Sequence, residues 1–137
     1  MILRVLTAVA VLVSAAVHFK LWLVDGFSEI PTIGPLFLLN AAGGLAIGVL
    51  VLAWRHWLPA LAAVGFGAST LGAFVISATV GLLGLQESFR GTSELTAAAA
   101  ELVAILGGLG LLWVWWAARR SAGQAEYRLP ADRAHLH

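Results

Sequence analysis

The chain contains no cysteine among its 137 residues. That excludes disulfides, thiolate metal sites, iron–sulfur clusters and cysteine nucleophiles. Charge is scarce as well: 11% of residues are Asp, Glu, Lys or Arg, against about 25% in a soluble domain. The sequence has no G-x-S-x-G, no H-E-x-x-H and no phosphate-binding loop, so the hydrolase, metalloprotease and nucleotide-binding signatures are missing. What fills the space is apolar, at 61% of the chain.

The few charges are not spread evenly. Residues 5–19, 30–54, 56–86 and 102–118 carry none. A hydrocarbon core of about 30 Å needs about 20 apolar helical residues to cross it. The charge map therefore predicts an all-α integral membrane protein, a four-transmembrane-helix bundle over residues 1–118. The spans are expected at 2–24, 32–54, 58–85 and 94–118, followed by a flexible basic tail at 119–137. Nothing remains for a second domain. Met1-Ile2-Leu3-Arg4 with Val13-Ser14-Ala15 has the outline of a cleavable signal. Apolar sequence resumes at Phe19, Leu21, Trp22, Leu23 and Val24, however, which favours a retained span.

Basic residues set the expected orientation. Arg4, Arg55, Arg119, Arg120, Arg128 and Arg133 fall on one side, and only Lys20 and Arg90 on the other. The cytoplasmic excess of Lys and Arg then puts both termini inside. Arginine outnumbers lysine seven to one amid abundant Ala, Gly, Leu and Val, as in proteins from GC-rich bacterial genomes. The expected location is a bacterial inner membrane. The bilayer itself, a membrane-protein partner or further copies of the chain are the expected associates, with no nucleic acid. Trp54, Trp57, Trp113, Trp115 and Trp116 gather toward the inner interface and Trp22 toward the outer, the headgroup level that such rings prefer. Asp25, Glu29, Glu87 and Glu94 lie in or beside outer loops, as solvated charges or as an attraction for a cation.

Small residues recur every three or four positions in each span. They are Ala10, Ser14 and His18; Asn40, Gly44 and Gly48; Gly65, Ser69, Ala73, Ser77 and Gly81; and Ala97, Glu101, Ala104 and Gly108. Such spacing marks one helix face, and small side chains let helices approach closely in lipid. Polar groups interrupt these faces at one level. By rise per residue, His18, Asn40, Ser77 and Glu101 all lie about 10–14 Å below the outer helix ends.

Glu101 is the strongest of the four, because a carboxylate inside a span must be paired, neutral or hydrated and usually faces the bundle. His18 is its expected partner. A carboxylate with an imidazolium, or a neutral hydrogen-bonded pair, satisfies both groups. Three uses remain open: a buried network that sets helix register, a site for a quinone-like or other small molecule, or a proton- or ion-coupled transport step. One histidine and one carboxylate fall short of a metal site. No second histidine lies in a span to complete a haem. No catalytic residue is assigned, and no catalytic activity of the chain's own is expected.

The stretch Ala16-Val17-His18-Phe19-Lys20, then Ile30-Pro31, then a glycine-rich second span resembles the DoxX-like group of small four-span bacterial membrane proteins. That resemblance covers about the first 50 residues. It implies a membrane partner of redox enzymes, with quinone as a candidate cofactor, and it carries over only His18; the expected role is an accessory subunit or small binding protein. The chain departs from the group's pattern in span two, where no acid follows Gly43-Gly44 and Asn40 is the only strongly polar group. Proteins of the small multidrug-resistance type also have four short spans. Their first-span glutamate is missing here, and a six-to-two basic bias suits one fixed orientation.

Overall fold

Each charge-free run folds as a helix. A computed structural model describes residues 1–87 and 90–133, with side chains described as far as Gln124. Helix α1 is Ile2–Leu23, α2 Ile33–Ala53, α3 Trp57–Thr79 and α4 Thr92–Arg133, with one 3-10 turn, Phe27–Glu29, between the first two. All four helices are long and apolar enough to cross a membrane. Among the described residues there is no β-strand, only an isolated bridge between Leu82 and Leu85. The molecule is a four-helix, multi-pass membrane architecture.

Helix α1 packs along both α2 and α4, and α4 along α3, whereas α2 and α3 meet over a shorter stretch, at Gly44 against Phe66 and Asn40 against Thr70. The order around the bundle is thus α2, α1, α4, α3, with a cleft where the ring fails to close. Small side chains dominate the packed centre: Ala8, Ala10, Val11, Val51, Ala63, Phe66 and Ala104. With lipid outside, the attraction between helices is van der Waals contact, which rewards close backbones over bulky side chains. A Cβ at Gly44 would fall 2.8 Å from that of Ala15, and one at Gly67 would fall 2.7 Å from the Glu101 carbonyl oxygen. Both distances forbid any larger residue without moving a helix.

The faces expected on α1 and α4 are buried as read, and so are Gly44 and Gly48 on α2. On α3 the expected stripe is corrected. Gly65 is exposed with open space beside it, Ser69 is exposed, and Gly81 lies beyond the helix. The buried face instead runs through Ala60, Ala63, Gly67, Thr70 and Ser77. A strict step of four residues turns about 40° past a full revolution each time. Four such steps carry a stripe to the far side of the helix, and only its later members stay inward.

The third span also ends six residues early, at Thr79 rather than 85. Leu83 and Gly84 both have positive φ, and Leu82 and Leu85 exchange two 2.8 Å backbone hydrogen bonds around them. This is the geometry of a tight hairpin turn, which a glycine at the second position makes accessible. Ser77 fastens the turn to α3, donating to the Leu85 carbonyl at 3.1 Å and accepting from the Glu87 N–H at 3.3 Å.

At the end bearing both termini, the Arg4 guanidinium donates to the carbonyls of Val51 (2.7 Å) and Trp54 (2.9 Å). A cation there satisfies orphan carbonyls and complements the dipole at the end of α2. His56 caps α3 by accepting from the Leu58 N–H, and its ring stacks on Trp54 beside Trp57 and Trp115. Arg119 and Arg120 cover the faces of Trp115 and Trp116. The segment expected as a flexible tail from 119 continues α4 as helix to Arg133. Extending an existing helix skips the costly nucleation step. Residues 134–137, with His135 and His137, lie outside the described residues.

Candidate functional site

The cleft between α2 and α3 opens into a cavity of about 350 Å³. Its walls are apolar, with Leu36, Leu39 and Gly43 on α2 and Phe66, Ala73 and Phe74 on α3. The polar groups lie on the helices around it: His18 on α1, Asn40 on α2, Thr70 and Ser77 on α3, and Glu101 on α4. All four residues singled out from the sequence therefore line one space. Leu36 and Leu39 remain 45% and 67% exposed on the outer face of α2, so the cavity wall is continuous with the lipid-facing surface.

The four do not form one hydrogen-bonded network. Glu101, only 1% exposed, accepts from the Ser14 hydroxyl through Oε1 at 2.9 Å. His18 Nδ1 lies 2.9 Å from the Ser14 carbonyl and 3.5 Å from its hydroxyl. A carbonyl only accepts, so Nδ1 carries the hydrogen, and the neutral ring is left with Nε2 as an acceptor. The expected His18–Glu101 partnership is replaced by convergence on Ser14, one turn before His18. Across the cavity, Asn40 Nδ2 donates to Thr70 Oγ1 at 3.1 Å, and that hydroxyl donates to the Phe66 carbonyl at 2.5 Å. Ser77 is occupied in holding the hairpin turn.

Among the described residues, two buried side-chain atoms have no partner: Asn40 Oδ1 and Glu101 Oε2. Turning the Asn40 amide over does not help, because the single hydrogen of Thr70 is already committed to Phe66. A buried acceptor left unsatisfied is destabilising by about 1–3 kcal/mol. Both orphans belong to residues that line the cavity.

No family model, curated protein or solved structure matches this chain. Function must be argued from the site itself. Among the described residues, no group of three His, Asp or Glu side chains is placed to hold a metal ion. Nor was the whole site visible to sequence reasoning. Ser14 stood on the small-residue face without a role, and Thr70 was not singled out, although it lies two turns before Ser77 on the same face. Glu87 and Glu94, read as loop charges, line the cavity mouth.

Glu87 sits in the turn beyond α3, and burial raises its carboxyl pKa, with the Glu94 charge adding to the effect and the Ser77 hydroxyl opposing it. A folded pKa above the unfolded value means the native state holds the proton more tightly. The stability gained is full below the unfolded value and is lost as pH rises through the folded one. Glu87→Gln removes this dependence. Its melting temperature should exceed that of the parent at pH 7 and match it near pH 3.5, and a lower value at pH 7 contradicts the assignment.

Proposed function

We propose that this chain is a small multi-pass membrane binding protein. An amphipathic molecule enters from the lipid between α2 and α3 and places its polar head against Asn40 and Glu101. The observation that carries this reading is the pair of unpartnered acceptors belonging to residues that line one cavity continuous with the lipid-facing surface. A transporter would also need an exit toward the other end of the bundle. There the cavity meets the packed centre, and Phe66 belongs to both. Binding requires no such opening, so we favour an accessory role, as the ligand-holding subunit of a larger membrane system or as a homo-oligomer, over a proton-coupled cycle. Purification in a mild detergent, followed by solvent extraction and mass spectrometry, tests this. A stoichiometric small molecule supports the reading, with a quinone as the outcome that supports a redox system. Repeated recovery of protein with only bulk lipid contradicts it.

The proposed setting is a bacterial inner membrane with both termini cytoplasmic, on the strength of the six-to-two basic asymmetry. Ser28 and Ser121 are exposed near opposite ends of the bundle, and the chain has no native cysteine to confuse labelling. In intact cells an impermeant maleimide should modify Ser28→Cys and spare Ser121→Cys until the membrane is opened. The reverse pattern inverts the topology, and equal labelling of both removes the fixed orientation.

A further inference from the structure

The acceptors and charges in the cavity specify the head group of its ligand more narrowly than its shape does. Glu101 Oε2 and Asn40 Oδ1 both lack a donor. The His18 ring, with its Nδ1 hydrogen directed to Ser14, adds an acceptor when neutral. The Asn40 amide hydrogen that faces Thr70 and the Ser14 hydroxyl hydrogen are already used. The described side chains therefore offer a ligand several acceptors and few free donors. Charge points the same way. Three acidic side chains, Glu87, Glu94 and Glu101, line the cavity, and among the described residues no lysine or arginine does. Lys20, outside the cavity lining, is held by Asp25 at 2.8 Å and Ser93 at 3.2 Å. A carbonyl head such as an oxidised quinone would bring more acceptors to a site already short of donors. A neutral alcohol would satisfy one acceptor and leave the negative field unanswered.

Resting on the binding reading above, we infer that the cavity selects an amphipathic amine, an ammonium group that donates to Glu101 and Asn40 carried on an apolar body held by Leu36, Leu39, Phe66 and Phe74. An ammonium has three hydrogens and no acceptor. It can donate to either unpartnered oxygen, and the acidic side chains lining the cavity attract it.

Three probes with the same bicyclic body separate the possibilities: 1-naphthylmethylamine, 1-naphthylmethanol and 1,4-naphthoquinone. Each is titrated calorimetrically at pH 7 into protein in lipid nanodiscs, with empty nanodiscs subtracted to remove partitioning. The amine should bind saturably, with a Kd at least about tenfold below those of the alcohol and the quinone. Glu101→Gln, which keeps the shape of the side chain and its acceptor toward Ser14, should remove most of that preference for the amine. Equal or tighter binding of the alcohol or quinone overturns the amine inference and leaves the cavity as a binding site. A preference that survives in Glu101→Gln likewise overturns the assignment to this carboxylate. Absence of saturable binding by all three overturns both the inference and the binding reading beneath it.

Discussion

Glu101→Met should fold at least as stably as the parent, by up to about 3 kcal/mol, when unfolding is followed in bicelles by tryptophan fluorescence. The reason lies in how little holds this carboxylate. Among the described residues it is the largest fully buried side chain, yet its one side-chain bond there is the one from Ser14, and its second oxygen has no partner there. Methionine matches its length, fills the same volume and removes a polar group that the interior leaves half satisfied. The released Ser14 hydroxyl can turn to a carbonyl of its own helix, as Thr7 does toward Leu3 at 2.7 Å. A residue kept to set helix register behaves oppositely, because deleting a bonded network member exposes its partners to the full desolvation penalty. A loss of 2 kcal/mol or more in Glu101→Met would make the polar layer an architectural device. Equal or greater stability leaves ligand contact as the reason for a glutamate in the middle of the bundle.

The second large effect concerns packing. Gly67→Val should destabilise the bundle by about 1–3 kcal/mol, the range for overpacking a close contact. Its Cβ has only the Glu101 carbonyl and the Ile105 side chain to meet, at 2.7 and 2.8 Å. The carbonyl belongs to the α4 backbone and cannot step aside, so the two helices must separate. Gly65→Val, two residues earlier, meets nothing within 4 Å and should leave stability within about 0.5 kcal/mol of the parent. Unfolding of the two variants side by side decides the matter. If Gly65 proves the sensitive position and Gly67 the tolerant one, α3 is rotated from the orientation described here.

That contrast marks where the sequence is a good guide and where it is not. Long charge-free runs reveal the helices because lipid tolerates neither charges nor unpaired backbone. Faces on α1 and α4 can be read because their small residues span few turns, so an approximate period accumulates little error. On α3 the same reading runs too far and rotates off the packing face. The polar layer was legible as residue types at a common depth: His18, Asn40, Ser77 and Glu101 do line one cavity. Their partners were not, since depth says nothing of azimuth. Only the arrangement of helices places Ser14 against Glu101, Thr70 against Asn40, and a turn of the chain against Ser77. The gap between α2 and α3 is likewise a property of the packing, invisible in either helix alone.

Gly43 supplies the most direct test of the central claim, that this gap is a binding site. It lines the cavity from α2, and a Cβ there meets nothing within 4 Å, so Gly43→Phe is expected to occupy the cavity. Parent and variant, purified identically and compared by native mass spectrometry, should differ in one respect. The parent should carry a bound small molecule of constant mass, and the folded variant should carry none. Equal occupancy in the two proteins would contradict the account, because a site in this cavity cannot hold a ligand and a phenylalanine in the same space.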